Sequence, residues 1–381
     1  MNGCTPGRRF WKTGQNVTTW VGAASAAVAC LLGGAASHAA AQESVRPPSS
    51  GHVSELATYL DHVEIAEPVT YRGLAVYPIL LREGIRLEGR WLSLDAAISR
   101  GVLVVTEKGS GGSVPVVVVE NRSRGEHVLI MTGEVISGGK QTRTVRSDVV
   151  VSPGQRIELK VFCVEAHRWQ GDKKFAASGA LLPQSIQKEL RKGASQGRVW
   201  SEVARNNAAL KAENATGSLD LALKSRAVRD KLAEVRRTIV PHVARGTMGF
   251  IFVDGHRALG AELFGTSGLA RELLPKLLDS YAVDCVLIRK GAEGAGRRSD
   301  DNVAIEFFKR VVRTGSQRSG TPGSGAGIRT RSGGLLGDGV SLGGTVVHYG
   351  VQIQDRIVPH PVPRRPVPLQ QRNGVPGSSL R

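Results

Sequence analysis

The sequence predicts an α+β fold: a mainly antiparallel sheet with helices from the middle of the chain packed on it. Short Val-, Ile- and Leu-rich segments crowd residues 66–164. Their spacing is too close for βαβ crossovers, so neighbouring strands must pair antiparallel. Between 182 and 239 the apolar period lengthens to that of a helix. Strand-like runs return at 249–264 and 340–353, with no internal repeat, which makes one domain rather than an array.

In chain order, Val69–Tyr71 and Leu74–Leu80 read as the first strands, with Pro78 at an edge or bend. Ser93–Gly101 is a short helix that Ser93 can cap and Gly101 can end. Strands are expected at 102–107, 115–121, 127–132, 145–151 and 156–164, separated by Gly-Ser, Asn-Arg-Ser and Ser-Pro-Gly clusters that suit turns. Helices follow at Leu182–Lys192, Val199–Lys211 and Ser218–Ile239. In the last, Leu221, Val228, Leu232, Val235 and Ile239 make one apolar stripe opposite Lys and Arg. Gly249–Val253 and Ala258–Phe264 form a hairpin about Asp254–Arg257. Leu269–Tyr281 and Asn302–Val312 are helices, the second with Ala304, Phe307, Phe308 and Val311 on one side. The Gly/Ser/Arg-rich stretch 315–334 is expected to be a disordered insertion, and Val340–Ile353 a last strand pair.

The domain therefore spans 66–353, with non-globular ends. Residues 1–41 have the three parts of a secretory signal peptide: Arg8, Arg9 and Lys12, an apolar run from Trp20 to about Ala36, and an A-x-A site ending at Ala41. The run is too Ala/Gly-rich for a retained anchor. Export by the general or the twin-arginine route stays open. Residues 42–65 read as a linker and 354–381 as a disordered Pro/Arg-rich tail. The expected product is exported, to the periplasm or cell envelope, with no transmembrane segment after signal removal. Cys163 and Cys285 then remain. Export permits a disulfide between them, while their apolar surroundings suit buried free thiols. A net charge of +18 invites a nucleic-acid partner. Aromatics are few and no RNP-like, zinc or basic-heptad motif occurs, so no specific nucleic-acid partner is expected. A basic tail touching anionic envelope surfaces is the alternative.

Chemistry concentrates in Gly133–Trp169. Lys140 and Arg143 follow Gly138-Gly139, a combination suited to an anion through a point charge and a bidentate fork, or to a hairpin with exposed basic residues. Glu134 and Glu165 end apolar strands. On neighbouring strands they would face one mouth as acid and base, or else pair with the local cations. Trp169, beside Arg168, can stack on a base or sugar ring or simply pack. The candidate ligand-binding set is Lys140, Gln141, Arg143, Glu165, Arg168 and Trp169, and the candidate general bases are Glu134 and Glu165. No HExxH, Cys/His spacing, GxSxG, Walker A or dinucleotide fingerprint occurs, so neither a metal nor a cofactor is expected.

The run Gly133-Glu134, Gly138-Gly139-Lys140-Gln141-x-Arg143 and Cys163-Val164-Glu165-x-x-Arg168-Trp169 resembles the ARPP-1 family, named for association with ADP-ribosylglycohydrolase and rhodanese-phosphatase proteins. Ser93-Leu94-Asp95-Ala96-Ala97, Gly197-Arg198-Val199-Trp200, the Phe264–Tyr281 segment and Gly337–His348 are similar to its other elements, with Thr142 where the family more often has Asn. The resemblance covers 66 to 353. It implies a link to ADP-ribose or NAD-derived ligands, carried by the associated domains. Three functions follow as expectations: an exported binding domain for a small anionic, phosphate-bearing sugar or nucleotide; a hydrolase acting on such a ligand, with Glu134 or Glu165 as general base; or a structural envelope protein.

Overall fold

The computed structural model describes residues 51–354, apart from 83, 86, 110–114 and 289–300. The expected signal peptide, the first part of the linker and the tail from residue 355 lie outside the described residues. The described chain opens with α1 (Ser54–Asp61), β1 (Val63–Ile65), β2 (Val69–Tyr71) and β3 (Leu74–Leu81), then β4 (Arg90–Ser93) and α2 (Leu94–Ser99). Eight strands follow: β5 (Leu103–Glu107), β6 (Val116–Asn121), β7 (Glu126–Ile130), β8 (Glu134–Gly138), β9 (Arg143–Val145), β10 (Val149–Val151), β11 (Arg156–Cys163) and β12 (Lys174–Leu181). The helices α3 (Gln184–Arg191), α4 (Gln196–Leu210), α5 (Leu219–Lys224) and α6 (Arg226–Ile239) lead to the hairpin β13 (Gly249–Asp254) and β14 (Arg257–Phe264). Then come α7 (Ser267–Ala282), α8 (Asp301–Arg313), β15 (Gln317–Ser319), β16 (Ala326–Thr330), β17 (Leu335–Leu342) and β18 (Thr345–Ile353).

The fold is α+β, and its strands form three systems. A nine-stranded sheet runs β1-β3-β13-β14-β18-β17-β16-β15, with β2 on β3. Six strands close a barrel in the order β11-β6-β5-β12-β8-β9, and β10-β7-β4 form a small sheet. Pairing is antiparallel except between β4 and β7.

Side-chain alternation explains the layers. On β13, Phe250 and Phe252 face the cluster that holds Leu273, Leu277 and Tyr281 of α7, with Tyr281 stacked on Phe252 at 3.7 Å. Ile251 and Val253 point the other way, into the cluster with Leu56 and Tyr59 of α1 and Phe307 and Phe308 of α8. From Phe250 to Val253 this strand is apolar at every position because both its faces are covered. The barrel has its own core, including Leu103, Val105, Val119, Ile136, Val145 and Val161. Ser93 caps α2 by accepting from the Ala96 N–H, as its sequence suggests.

Four expectations fail. Residues 54–65, read as linker, form α1 and β1. Leu56, Tyr59, Leu60 and Val63 are buried, and the Tyr59 hydroxyl donates to the Phe264 carbonyl. The stretch 315–334, read as disordered, supplies β15 and β16. Its glycines allow close backbone packing: a side chain on Gly325 (φ 85°) would meet the Ser341 carbonyl oxygen at 1.9 Å. The helix expected at Ser218–Ile239 breaks at Ser225, whose ψ of 143° is extended, and the break leaves Leu221 of the expected stripe half-exposed. The strand expected at 145–151 divides between barrel and small sheet, with buried Asp148 at the division. Among the described residues no helix is long and apolar enough to cross a membrane.

Candidate functional site

The predicted constellation separates into two clusters. The first plugs one end of the barrel. On β9, Arg143 shares the inward parity of Val145, and it pairs in register with Ile136 of β8 and Cys163 of β11. On β5, Leu103, Val105 and Glu107 alternate inward, which brings a carboxylate to the same end. Arg143 is fully buried there, with Nη2 at 3.6 Å from Glu107 Oε1. Its Nη1 donates to Gln141 Oε1 at 2.8 Å and to Cys163 Sγ. Among the described residues, Nε and Nη2 of Arg143 and Oε2 of Glu107 have no hydrogen-bond partner. Burial raises the Cys163 thiol above its ordinary range, the Arg143 charge opposing.

Above this plug lies Trp169, which remains 45% exposed. Its ring sits 5.3 Å from Lys140 Nζ and 5.5 Å from Arg143 Cζ, both within cation–π range. An aromatic this open contributes little to folding, and two cations within reach of its ring suit it to a ring-bearing anion.

Arg168 and Glu165 brace this arrangement. Arg168 donates through Nε and Nη2 to Glu165, and also to the carbonyls of Gly138, Gly139 and Gln170. Glu165 Oε2 accepts from both the N–H and the hydroxyl of Thr142 at 2.9 Å. A threonine therefore meets the need of this position with its own hydroxyl. Burial alone would raise the Glu165 carboxyl, but donors from Arg168 and Thr142 outweigh it and hold the group at about 2. The two glycines do not cradle an anion: the Gly139 N–H donates to the Lys174 carbonyl and the Lys140 N–H to Glu107. They are needed for close packing, since a side chain on Gly139 (φ 53°) would run into the Phe175 ring at 2.2 Å.

Glu134 belongs to the second cluster. It lies at the opposite end of β8 from the glycines, 1% exposed. Lys276 of α7 donates to it at 2.6 Å and also pairs with Asp95. Burial raises the Glu134 carboxyl, while Lys276, held between two carboxylates, is pushed up despite its own burial and stays charged. The two glutamates do not face one mouth: β8 and β11 are both antiparallel to β9 and so run the same way, which puts Glu134, at the start of β8, and Glu165, just past the end of β11, at opposite ends. One is saturated by donors and the other is sealed against a lysine, so neither is placed to take a proton from a substrate. His167 is exposed, its backbone N–H bonded to the Thr216 carbonyl.

A third polar cluster has no counterpart in the sequence reading. His348 of β18 is buried between Asp148 (Nδ1 to Oδ2, 2.6 Å) and Glu262 of β14 (Nε2 to Oε2, 3.1 Å). The Tyr281 hydroxyl donates to the other Glu262 oxygen at 3.0 Å. Burial disfavours the imidazolium, but the two flanking carboxylates prevail and raise it to about 9. These partners are up to 200 positions apart, and no local pattern announces them. Glu107 was findable, since it sits at the inward parity of an alternating strand. Cys163 and Cys285 are both free and buried, so no disulfide joins them.

Residues 62–351 match the family model described as ARPP-1, the ARG and Rhodanese-Phosphatase-superfamily-associated Protein domain. The searches of curated proteins and of solved structures returned no match.

Proposed function

Because the chain belongs to the ARPP-1 family, we propose that its domain binds a small anionic molecule bearing a ring, a phosphorylated sugar or nucleotide, at the mouth of the barrel. The family's association with ADP-ribosylglycohydrolases brings ADP-ribose-like compounds into that class. The single observation that carries the reading is Trp169, half-exposed over Lys140 and Arg143, with Nε and Nη2 of that arginine making no hydrogen bond among the described residues. In this reading Trp169 stacks on the ring and Lys140 meets the anion. Gln141 and Arg143 form the floor, and Glu165 with Arg168 fixes the loop that carries Trp169. The amino-terminal pattern adds a compartment: the domain acts after export, in the periplasm or cell envelope.

Calorimetric titration with ADP-ribose, ADP and ribose 5-phosphate tests this. Trp169→Ala and Lys140→Ala should each weaken binding about tenfold, the size of a lost stacking or charge contact. Unchanged affinity in both variants, or no heat with any of the three compounds, overturns the reading. Hydrolysis of one of them that disappears in Glu165→Gln or Glu134→Gln would favour the hydrolase alternative over simple binding. The third alternative, an envelope protein docked by its basic tail, predicts loss of envelope retention when residues 355–381 are deleted.

A further inference from the structure

A cleft of about 660 Å³ lies where the barrel, the end of α3 and the β16–β17 edge meet, and Trp169 is not among its lining residues. Arg146, Lys160, Arg191, Lys192, Arg329 and Arg331 line it against only two carboxylates, Glu158 and Asp338. Asp338 gathers three of these cations: Arg331, whose Nη2 donates to both carboxylate oxygens at 2.8 Å, Arg329 at 3.6 Å and Arg191 at 3.7 Å. Glu158 is engaged by Lys108 from β5's end, at 2.8 Å. The cations therefore outnumber the charges that hold them.

Arg191 makes the cleft more than a basic surface. It is 5% exposed, and among the described residues neither its Nε, 3.7 Å from Asp338 Oδ2, nor its Nη1 has a hydrogen-bond partner. Buried guanidinium donors left unmet are costly, so an acceptor entering from the cleft recovers that cost. Arginine offers a fork that matches the oxygens of a phosphoryl group. The cations stand on two banks, Arg146 and Lys160 on the barrel side and Arg329 and Arg331 on the sheet side, with Arg191 and Lys192 at the end of α3 between them. The volume falls within the range of small-molecule pockets, roughly 300–1,000 Å³, and far exceeds a single phosphate.

We propose that this cleft is a second binding site, for a small molecule carrying two or more phosphoryl groups. Arg191 takes one from the floor and the two banks share the other. The site does not depend on the barrel-mouth reading.

The experiment is a thermal-shift and calorimetric titration of the full chain with orthophosphate, pyrophosphate and ADP, beside Lys160→Ala/Arg329→Ala. Both substituted residues are exposed, so the double variant should fold and melt like the parent. Arg191→Lys gives a second check on the floor. Pyrophosphate and ADP should bind at least tenfold more tightly than orthophosphate, and the double variant should lose at least tenfold in affinity for both. Equal affinity for orthophosphate and pyrophosphate overturns the proposal, as does full affinity in the double variant or no binding at all. A shift that survives in the double variant but vanishes in Trp169→Ala places the anion at the barrel mouth and also overturns it.

Discussion

The barrel mouth and the basic cleft are fed by the same two strands, yet they treat positive charge in opposite ways. On β11, Cys163 belongs to the plug and Lys160 to the cleft, three residues or about 10 Å apart along the strand. On β9, Arg143 opens the strand inside the plug, and Arg146, just past its end, lines the cleft. In the plug each arginine has its own carboxylate: Glu107 beside buried Arg143, Glu165 beside partly exposed Arg168. In the cleft one aspartate serves three arginines. The plug uses its charges to shape the protein, with one open face at Trp169. The cleft keeps charge in excess of what its own structure consumes.

The sharpest way to break this contrast is to remove one cation from each region. Arg143→Met leaves Glu107 buried without its partner and should destabilise the fold by about 3–5 kcal/mol in urea unfolding. Should it unfold no more easily than Arg329→Ala, the plug is not a structural device. Next in size is a pH effect beside the cleft floor, where His348 is raised to about 9 from an ordinary 6.5. A raised histidine stabilises fully below its unfolded value, so stability should be complete below about pH 6.5 and fall as pH rises through 9, by on the order of 3 kcal/mol. Melting curves from pH 6 to 10 check this, and His348→Gln should flatten the decline. Glu165 works at the other extreme. Its carboxyl is held near 2, so its contribution is present above the ordinary value of 4.5 and is lost as pH falls toward 2. Glu165→Gln should cost about 1–2 kcal/mol at neutral pH, discounted because Arg168 is partly solvated, and should make acid unfolding shallower. The smallest effect is expected of Arg329→Ala, within about 0.5 kcal/mol of the parent. A large loss there would make the cleft cations structural too.

What could be read from the residues alone follows the range of the interaction. Period-2 and period-3.6 patterns marked β13, β14, α7 and α8 closely, because each has one uniform environment per face. The segment Gly133–Trp169 was visible as a polar concentration, and the structure brings Arg143, Gln141, Lys140, Trp169, Arg168 and Glu165 together around the barrel end. Glu134 was misjudged because its partner, Lys276, is 142 positions away. The cleft was hidden for the same reason. Its cations come from β11, the β9–β10 link, the end of α3 and the β15–β17 region, and each taken singly looks like a solvated surface residue. The Gly-rich stretch 315–334 misled by composition, since glycine serves close strand packing as well as disorder.

The place of β18 has a consequence for how the chain folds during synthesis. It is the last strand of the described chain, yet it lies inside the nine-stranded sheet, hydrogen-bonded to β14 on one side and β17 on the other. It also carries His348 to Asp148 and packs against α1. Until β18 emerges, β14 presents an unpaired edge, and the nascent chain holds a sheet without its middle. The barrel, built from a continuous run of residues, can close first. Completion of the main sheet must wait until β18 has emerged, so a chain truncated ahead of Thr345 should yield a barrel attached to an aggregation-prone half-sheet rather than a slightly shorter domain.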